Sequence, residues 1–159
     1  MYEIERKFLL HELPPAIADI EPTRIDQGYL AVTDDVEVRI RARGGDHLLT
    51  VKGGRGEVRT EVTLLVSPEQ FDHLWALTAG RRIHKQRWVL QPDPDAEVEV
   101  EVDRFEDDLD GLLVAEVEFA SEDASRAFTP PDWFGSEVTG DDRYRNAALA
   151  TQRPPVVSG

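Results

Sequence analysis

Glu3, Glu5 and Lys7 stand two residues apart in the stretch EIERKFLL at 3–10. In an extended chain successive side chains alternate between faces, so these three share one side while Ile4, Arg6 and Phe8 share the other. The same spacing recurs in Glu37, Arg39, Arg41 and Arg43, in Lys52, in Glu57, Arg59 and Glu61, and in Lys85 and Arg87. It continues through Glu97, Glu99, Glu101 and Asp103, then Glu116 and Glu118. Guanidinium and ammonium groups grip phosphate oxygens, whereas carboxylates hold hard cations such as Mg²⁺ or Mn²⁺. The two signs therefore suit separate tasks: Glu3 and Glu5 toward metal, and Lys7 toward phosphate.

The positions between the charges are apolar: Val36, Val38 and Ile40, then Val98, Val100 and Val102, then Ala115, Val117 and Phe119. A sheet with its apolar face under helices and its charged face in water accounts for this alternation. It accounts less well for basic residues on the middle strands and runs of carboxylates on the late ones. The second arrangement closes the sheet into a barrel, charged faces inward around a polar lumen and apolar faces outward beneath helices. Burying so many ions without partners would cost several kcal/mol each, so such a lumen calls for a polyanion together with metal ions.

Composition narrows the partners. The chain has 159 residues, 40% hydrophobic and 31% charged, with a net charge of -14. That balance disfavours nucleic acid, whose backbone is bound mainly by excess Lys and Arg. The charge is uneven: Arg39 to Arg87 holds ten Lys/Arg against five Asp/Glu, and Trp88 to Asp142 holds two against eighteen. No apolar run reaches bilayer-spanning length and the N-terminus has no signal-peptide pattern, so a soluble, cytoplasmic protein without a membrane partner is expected. Absence of cysteine excludes disulfides and thiol chemistry.

Period-two alternation predicts strands at 2–9, 36–43, 47–53, 57–65, 82–90, 97–105 and 112–120, with a further one at 27–32. Gly44-Gly45-Asp46 and Gly53-Gly54-Arg55-Gly56 read as hairpin turns. A helix is predicted at 68–79, with Ser67 as N-cap, Pro68 at N1, Gln70 completing a capping box and Gly80 past the end. A short helix should follow Ser121, another should run from about Asp141 to Gln152, and Pro14-Pro15 should precede a helical turn. One domain over 1–152 is expected, with a loose tail at 153–159. His11, His47, His73 and His84 lack ligand spacing, and the glycine run at 53–56 lacks the form of a P-loop.

The ordered set EIERKFL, GYL (28–30), VEVRIRAR (36–43), LTVKG (49–53), RTEV (59–62), HKQRW (84–88), EVDRF (101–105), AEVEF (115–119) and DDRYRNAALA (141–150) resembles the CYTH domain, the triphosphate tunnel metalloenzyme superfamily. The resemblance implies an α+β fold whose eight-stranded antiparallel barrel forms a tunnel with a charged lumen and helices packed outside. It implies hydrolysis or transfer of a triphosphate group with a divalent metal, Mg²⁺ or Mn²⁺. By the same resemblance Glu3, Glu5, Glu61, Glu101, Asp103, Glu116 and Glu118 fall at metal positions. Lys7, Arg39, Arg41, Lys52, Lys85, Arg87 and Arg143 fall at phosphate positions. Arg43, Arg59 and Glu99 extend the charged rows, and Arg145 occupies a variable position.

Small single-domain members similar to this chain tend to be inorganic triphosphatases, and a homodimer is compatible with the family. The expected activity is metal-dependent hydrolysis of inorganic triphosphate to diphosphate and phosphate. An enzyme of organic triphosphates, a thiamine triphosphatase or adenylate cyclase, is the first alternative, and a non-catalytic polyphosphate or nucleotide-binding module the second. Phosphoryl transfer needs positioning and charge neutralisation more than covalent chemistry. A second metal, or a carboxylate such as Glu118, would orient the attacking water, and Lys85 with Tyr29 nearby is another candidate for its proton.

Overall fold

Alternating sequences fold as pleated sheet because their β-branched side packs as one apolar layer while the ionic side keeps water or counter-ions. The computed structural model describes residues 4–54, 60–92 and 98–152. Its strands are β1 (Ile4–Leu10), β2 (Thr23–Val32), β3 (Val36–Arg43), β4 (Asp46–Gly53), β5 (Thr60–Leu65), β6 (Arg82–Leu90), β7 (Val98–Phe105), β8 (Leu113–Phe119) and β9 (Phe134–Glu137). The helices are α1 (Pro68–Trp75), α2 (Glu122–Ala127) and α3 (Asn146–Thr151), with 3-10 turns at Pro15–Ile17, Ala76–Thr78, Asp107–Leu109 and Asp142–Tyr144. Of the sequence expectations, Glu3, Glu57, Arg59, Glu97 and the tail at 153–159 lie outside the described residues. No helix among the described residues is long and apolar enough to cross a membrane.

The chain divides into two compact units, and β6 passes from the first to the second between Lys85 and Gln86. In the first the strand order is β5-β4-β3-β2-β6, and in the second β6-β7-β8-β1-β9. Eight strands were expected and nine are present among the described residues. The extra one, β9, is short and holds no period-two pattern. β5 and β9 each have a single strand neighbour in the described hydrogen-bonding.

In the first unit Gly44 at φ 59 supplies the left-handed residue that the tight turn between β3 and β4 requires, with Arg43 opposite Asp46. α1 begins as expected: Ser67 Oγ accepts the Gln70 N–H at 3.1 Å and Gln70 Oε1 accepts the Ser67 N–H at 2.9 Å. It stops earlier than 79, tightening to 3-10 geometry after Trp75 before Gly80 at φ 82. Phe71 is buried beside His47 and stacks on Trp75 at 5.5 Å. The helix leaves part of the apolar side uncovered, contrary to the expected sheath of helices. Val51, Val62 and Leu64 are exposed, Leu64 to 54%. β5 follows β4 in register beyond the reach of an eight-residue helix.

The second unit holds a contiguous core. Phe8, Leu10, Ile17, Trp88, Leu90, Val100, Val102, Ala115, Val117, Phe119 and Phe134 are buried together. Burial of each valine there contributes about 1.5–3 kcal/mol. The register sets Phe8 opposite Ala115 and Val102 opposite the same alanine, a large-small-large row across β1, β8 and β7. β9 approaches closely because Gly135 lacks a Cβ, which would lie 2.8 Å from Leu9 O.

Arg6 is the one charge on the apolar side of β1. Its guanidinium lies 5.3 Å from the Phe8 ring centroid, donates to Ser125 O at 3.0 Å, and binds Glu137 through Nε at 3.1 Å and Nη2 at 2.7 Å. It thereby ties β9 and the end of α2 to β1. The hydrogen bond from Arg6 holds the Glu137 carboxyl below its ordinary range. A depressed carboxyl contributes stability above its unfolded pKa, about 4.3, and loses it as the pH falls through the folded value. Glu137→Gln should therefore lower stability to urea by about 0.5–1 kcal/mol at pH 7. The gap to the parent chain should narrow at pH 3, measured as unfolding midpoints at both pH values.

Candidate functional site

In the second unit the side of the sheet away from the core carries the carboxylates. Glu5 stands opposite Glu118, and Glu118 opposite Glu99; Lys7 stands opposite Glu116, and Glu116 opposite Glu101. Directly opposed side chains have Cβ atoms about 4.5–5.5 Å apart, so like charges in register repel. One carboxylate oxygen from each of Glu5, Glu116 and Glu118 lies within 4.8 Å of the other two. Three oxygen donors so gathered fit a hard divalent cation.

Glu101 and Asp103 are engaged differently. Arg87 Nε and Nη2 donate to Asp103 at 2.7 and 2.9 Å, and Arg87 Nη1 pairs with Glu101 at 2.8 Å. Asp103 is almost fully buried. Burial opposes the Arg87 charge, yet the hydrogen bonds and charge of Asp103, with Glu101 and Glu116 behind it, hold the guanidinium above its ordinary range. Burial likewise pushes the Glu101 carboxyl up; Glu116, Asp103 and Glu118 push the same way, and Arg87 opposes. Burial, with the neighbouring carboxylates, thus outweighs a direct 2.8 Å ion pair. Lys7 is anchored through its backbone, its N–H donating to Thr139 Oγ1 at 3.0 Å and its carbonyl accepting from Val138 at 2.8 Å.

In the first unit the ionic side is basic and built in rows. Tyr29 lies opposite Arg39, which lies opposite Thr50; Gln27 lies opposite Arg41; Lys52 lies opposite both Glu37 and Glu61. The Nε of Arg39 is buried and has no acceptor among the described residues. A buried donor left unsatisfied is costly, so this one calls for an incoming oxygen. Lys85 is fully buried, 0% exposed, with Nζ donating to Asn146 Oδ1 at 3.4 Å. Lys52 pairs loosely with Glu61 at 3.8 Å, which places Glu61 among the cations of this unit. Burial raises the Tyr29 phenol pKa, Glu37 adding to it against the opposing charges of Arg39 and Arg41.

Among the expected residues, the structure thus collects Arg39, Arg41, Lys52, Lys85, Tyr29 and Glu61 in the first unit. It collects Lys7, Arg87, Glu5, Glu101, Asp103, Glu116 and Glu118 in the second. Arg143 sits in the 3-10 turn before α3, its guanidinium 5.8 Å from the Tyr144 ring centroid. The neighbouring Arg145, set aside from sequence, pairs with Glu37 at 2.5 Å and fastens α3 to β3. Gln27, Asn146 and Glu37 were missed as partners of the basic residues. The position of Gln27, two before Tyr29 and on its face, was the available signal for one of them.

The sequence model of the CYTH domain matches residues 1–133. An inorganic triphosphatase of Nitrosomonas europaea is 44% identical over 155 residues, covering 97% of this chain and 100% of that protein. An inorganic triphosphatase of Acetivibrio thermocellus is 34% identical over 153 residues, covering 92% of each. The crystal structure of the inorganic triphosphatase NE1496 matches with a TM-score of 0.77 at 41% identity, covering 98% of each chain. With the ordered strand motifs, the charged faces and these relatives in agreement, the chain belongs to the CYTH domain family.

Proposed function

We propose that this chain is a cytoplasmic inorganic triphosphatase that hydrolyses triphosphate to diphosphate and phosphate with Mg²⁺ or Mn²⁺. The observation that carries this reading is the gathering of the Glu5, Glu116 and Glu118 carboxylates within 4.8 Å, in a chain 44% identical to an inorganic triphosphatase. Arg39, Arg41, Lys52, Lys85, Arg143 and Lys7 bind the phosphate oxygens, and the unsatisfied Arg39 Nε gains an acceptor. Arg87 holds Glu101 and Asp103 in place beside the cluster. Glu3 and Glu61 complete the set of carboxylates assigned to metal.

Glu5, Glu116 and Glu118 are the residues suited to hold the divalent ion, which supplies charge neutralisation on the phosphate oxygens. Water adds to a terminal phosphorus, the bond to the bridging oxygen breaks, and diphosphate leaves with that oxygen. Glu118 orients the water and accepts its proton. The basic residues neutralise the charge that develops on the leaving diphosphate.

Phosphate release from triphosphate, thiamine triphosphate and ATP, each with Mg²⁺, Mn²⁺ or EDTA, tests the reading. Fastest release from inorganic triphosphate, abolished by EDTA, is expected. Preference for an organic triphosphate would assign the first alternative, and tight uptake without phosphate release would make the chain a binding module. Glu5→Gln and Glu118→Gln should each lower metal-dependent turnover roughly 100-fold. They should also remove the rise in melting temperature that Mn²⁺ gives the EDTA-treated parent, read by differential scanning calorimetry. Arg39→Ala should raise the KM for triphosphate by roughly 10–100-fold, the worth of one charge-assisted hydrogen bond. Initial-rate kinetics give that value directly.

A further inference from the structure

Gln27 is 0% exposed, and a buried amide without partners is costly enough that an apolar side chain of similar size would otherwise serve better there. Its partners identify its use. Arg41 Nε donates to Gln27 Oε1 at 2.6 Å, and Gln27 Nε2 donates to the Tyr29 hydroxyl at 2.8 Å. Arginine has no acceptor, so the amide oxygen must face Arg41 and the amide N–H must face the phenol. That leaves the Tyr29 oxygen as an acceptor. Tyr29 is itself 1% exposed, and burial keeps its phenol protonated.

The backbone beneath these side chains is pinned. Tyr29 N donates to Arg81 O at 3.0 Å, and Arg81 Nε donates to Tyr29 O at 2.9 Å. Between Gln27 and Tyr29, Gly28 presses on Thr78 so closely that a Cβ would lie 2.5 Å from Thr78 Oγ1. Thr78 is fully buried, donates to Trp75 O at 2.7 Å and accepts from Arg82 Nε at 3.0 Å. A group so supported from below can hold a long side chain in one orientation.

We infer that Gln27 and Tyr29 are positioning residues: through the amide they fix the Arg41 guanidinium by its Nε, setting the orientation in which it meets a triphosphate oxygen. This rests on the triphosphatase reading and deepens it, because it removes Tyr29 from proton transfer and makes it a prop of substrate binding. A guanidinium held in advance loses less freedom on binding than a mobile one, so the consequence falls on affinity.

The experiment measures triphosphate affinity by calorimetry in EDTA and, separately, kcat and KM with Mn²⁺, for Gln27→Met, Tyr29→Phe, Arg41→Ala and the double variant Gln27→Met/Arg41→Ala. Circular dichroism and thermal melting establish folding, and Tyr29→Phe carries the test should Gln27→Met fail to fold. Gln27→Met is expected to weaken binding about tenfold and Tyr29→Phe about threefold, each with kcat within about twofold of the parent. In the Arg41→Ala background Gln27→Met should change affinity less than about twofold. Two results would overturn the inference: a fall in kcat of about 100-fold or more for Tyr29→Phe, or equal weakening by Gln27→Met with and without Arg41. A parent chain that binds triphosphate without releasing phosphate overturns the triphosphatase reading alone, since the calorimetric arm still reads the role of Gln27. A parent chain that does not bind triphosphate overturns both.

Discussion

Repulsion between carboxylates in register across β-ladders governs the second unit. Glu5, Glu118 and Glu99 follow one another across adjacent strands, and Glu116 and Glu101 sit side by side in the next row. Burial, with Glu116, Asp103 and Glu118 adding to it, pushes the Glu101 carboxyl up even against the Arg87 guanidinium in contact with it. A sheet keeps such a face only if cations relieve it. Arg87 relieves Glu101 and Asp103; the neighbouring trio of Glu5, Glu116 and Glu118 has the oxygen donors that a hard divalent ion prefers.

The same alternation makes the arrangement affordable. Every carboxylate on β7 and β8 is flanked in sequence by a residue of the opposite face, and those residues, Val100, Val102, Ala115 and Val117, are the centre of the core. Apolar burial on one side thus anchors the strands whose other side is electrostatically strained. Arg6 marks where a charge enters the apolar side, and it is accommodated by two aromatic rings and by Glu137 at the rim.

The basic face of the first unit uses a different support. Neutral polar side chains, Gln27 with Tyr29 and Thr50 with Thr63, form short hydrogen-bonded pairs among the cations. These hold geometry without adding charge of either sign. They leave Arg39 with a buried donor awaiting an oxygen, the feature that most directly distinguishes this face from an ordinary solvated one.

Strand positions, the α1 capping box and the segregation of basic from acidic faces were legible from residue types and spacing, because pleat and capping are local backbone stereochemistry. β9 escaped notice because its four residues, FGSE, carry no alternation. Which of many carboxylates gather as Glu5, Glu116 and Glu118 depended on the register between strands more than a hundred residues apart. The ion pair of Arg145 with Glu37 and the union of Gln27 with Arg41 likewise depended on which segments pack side by side. The sequence alone determined the periodicity and therefore the faces. Tertiary structure decided partners and burial, since opposite neighbours in a sheet are chosen by packing across the whole fold and not by the spacing within any one strand.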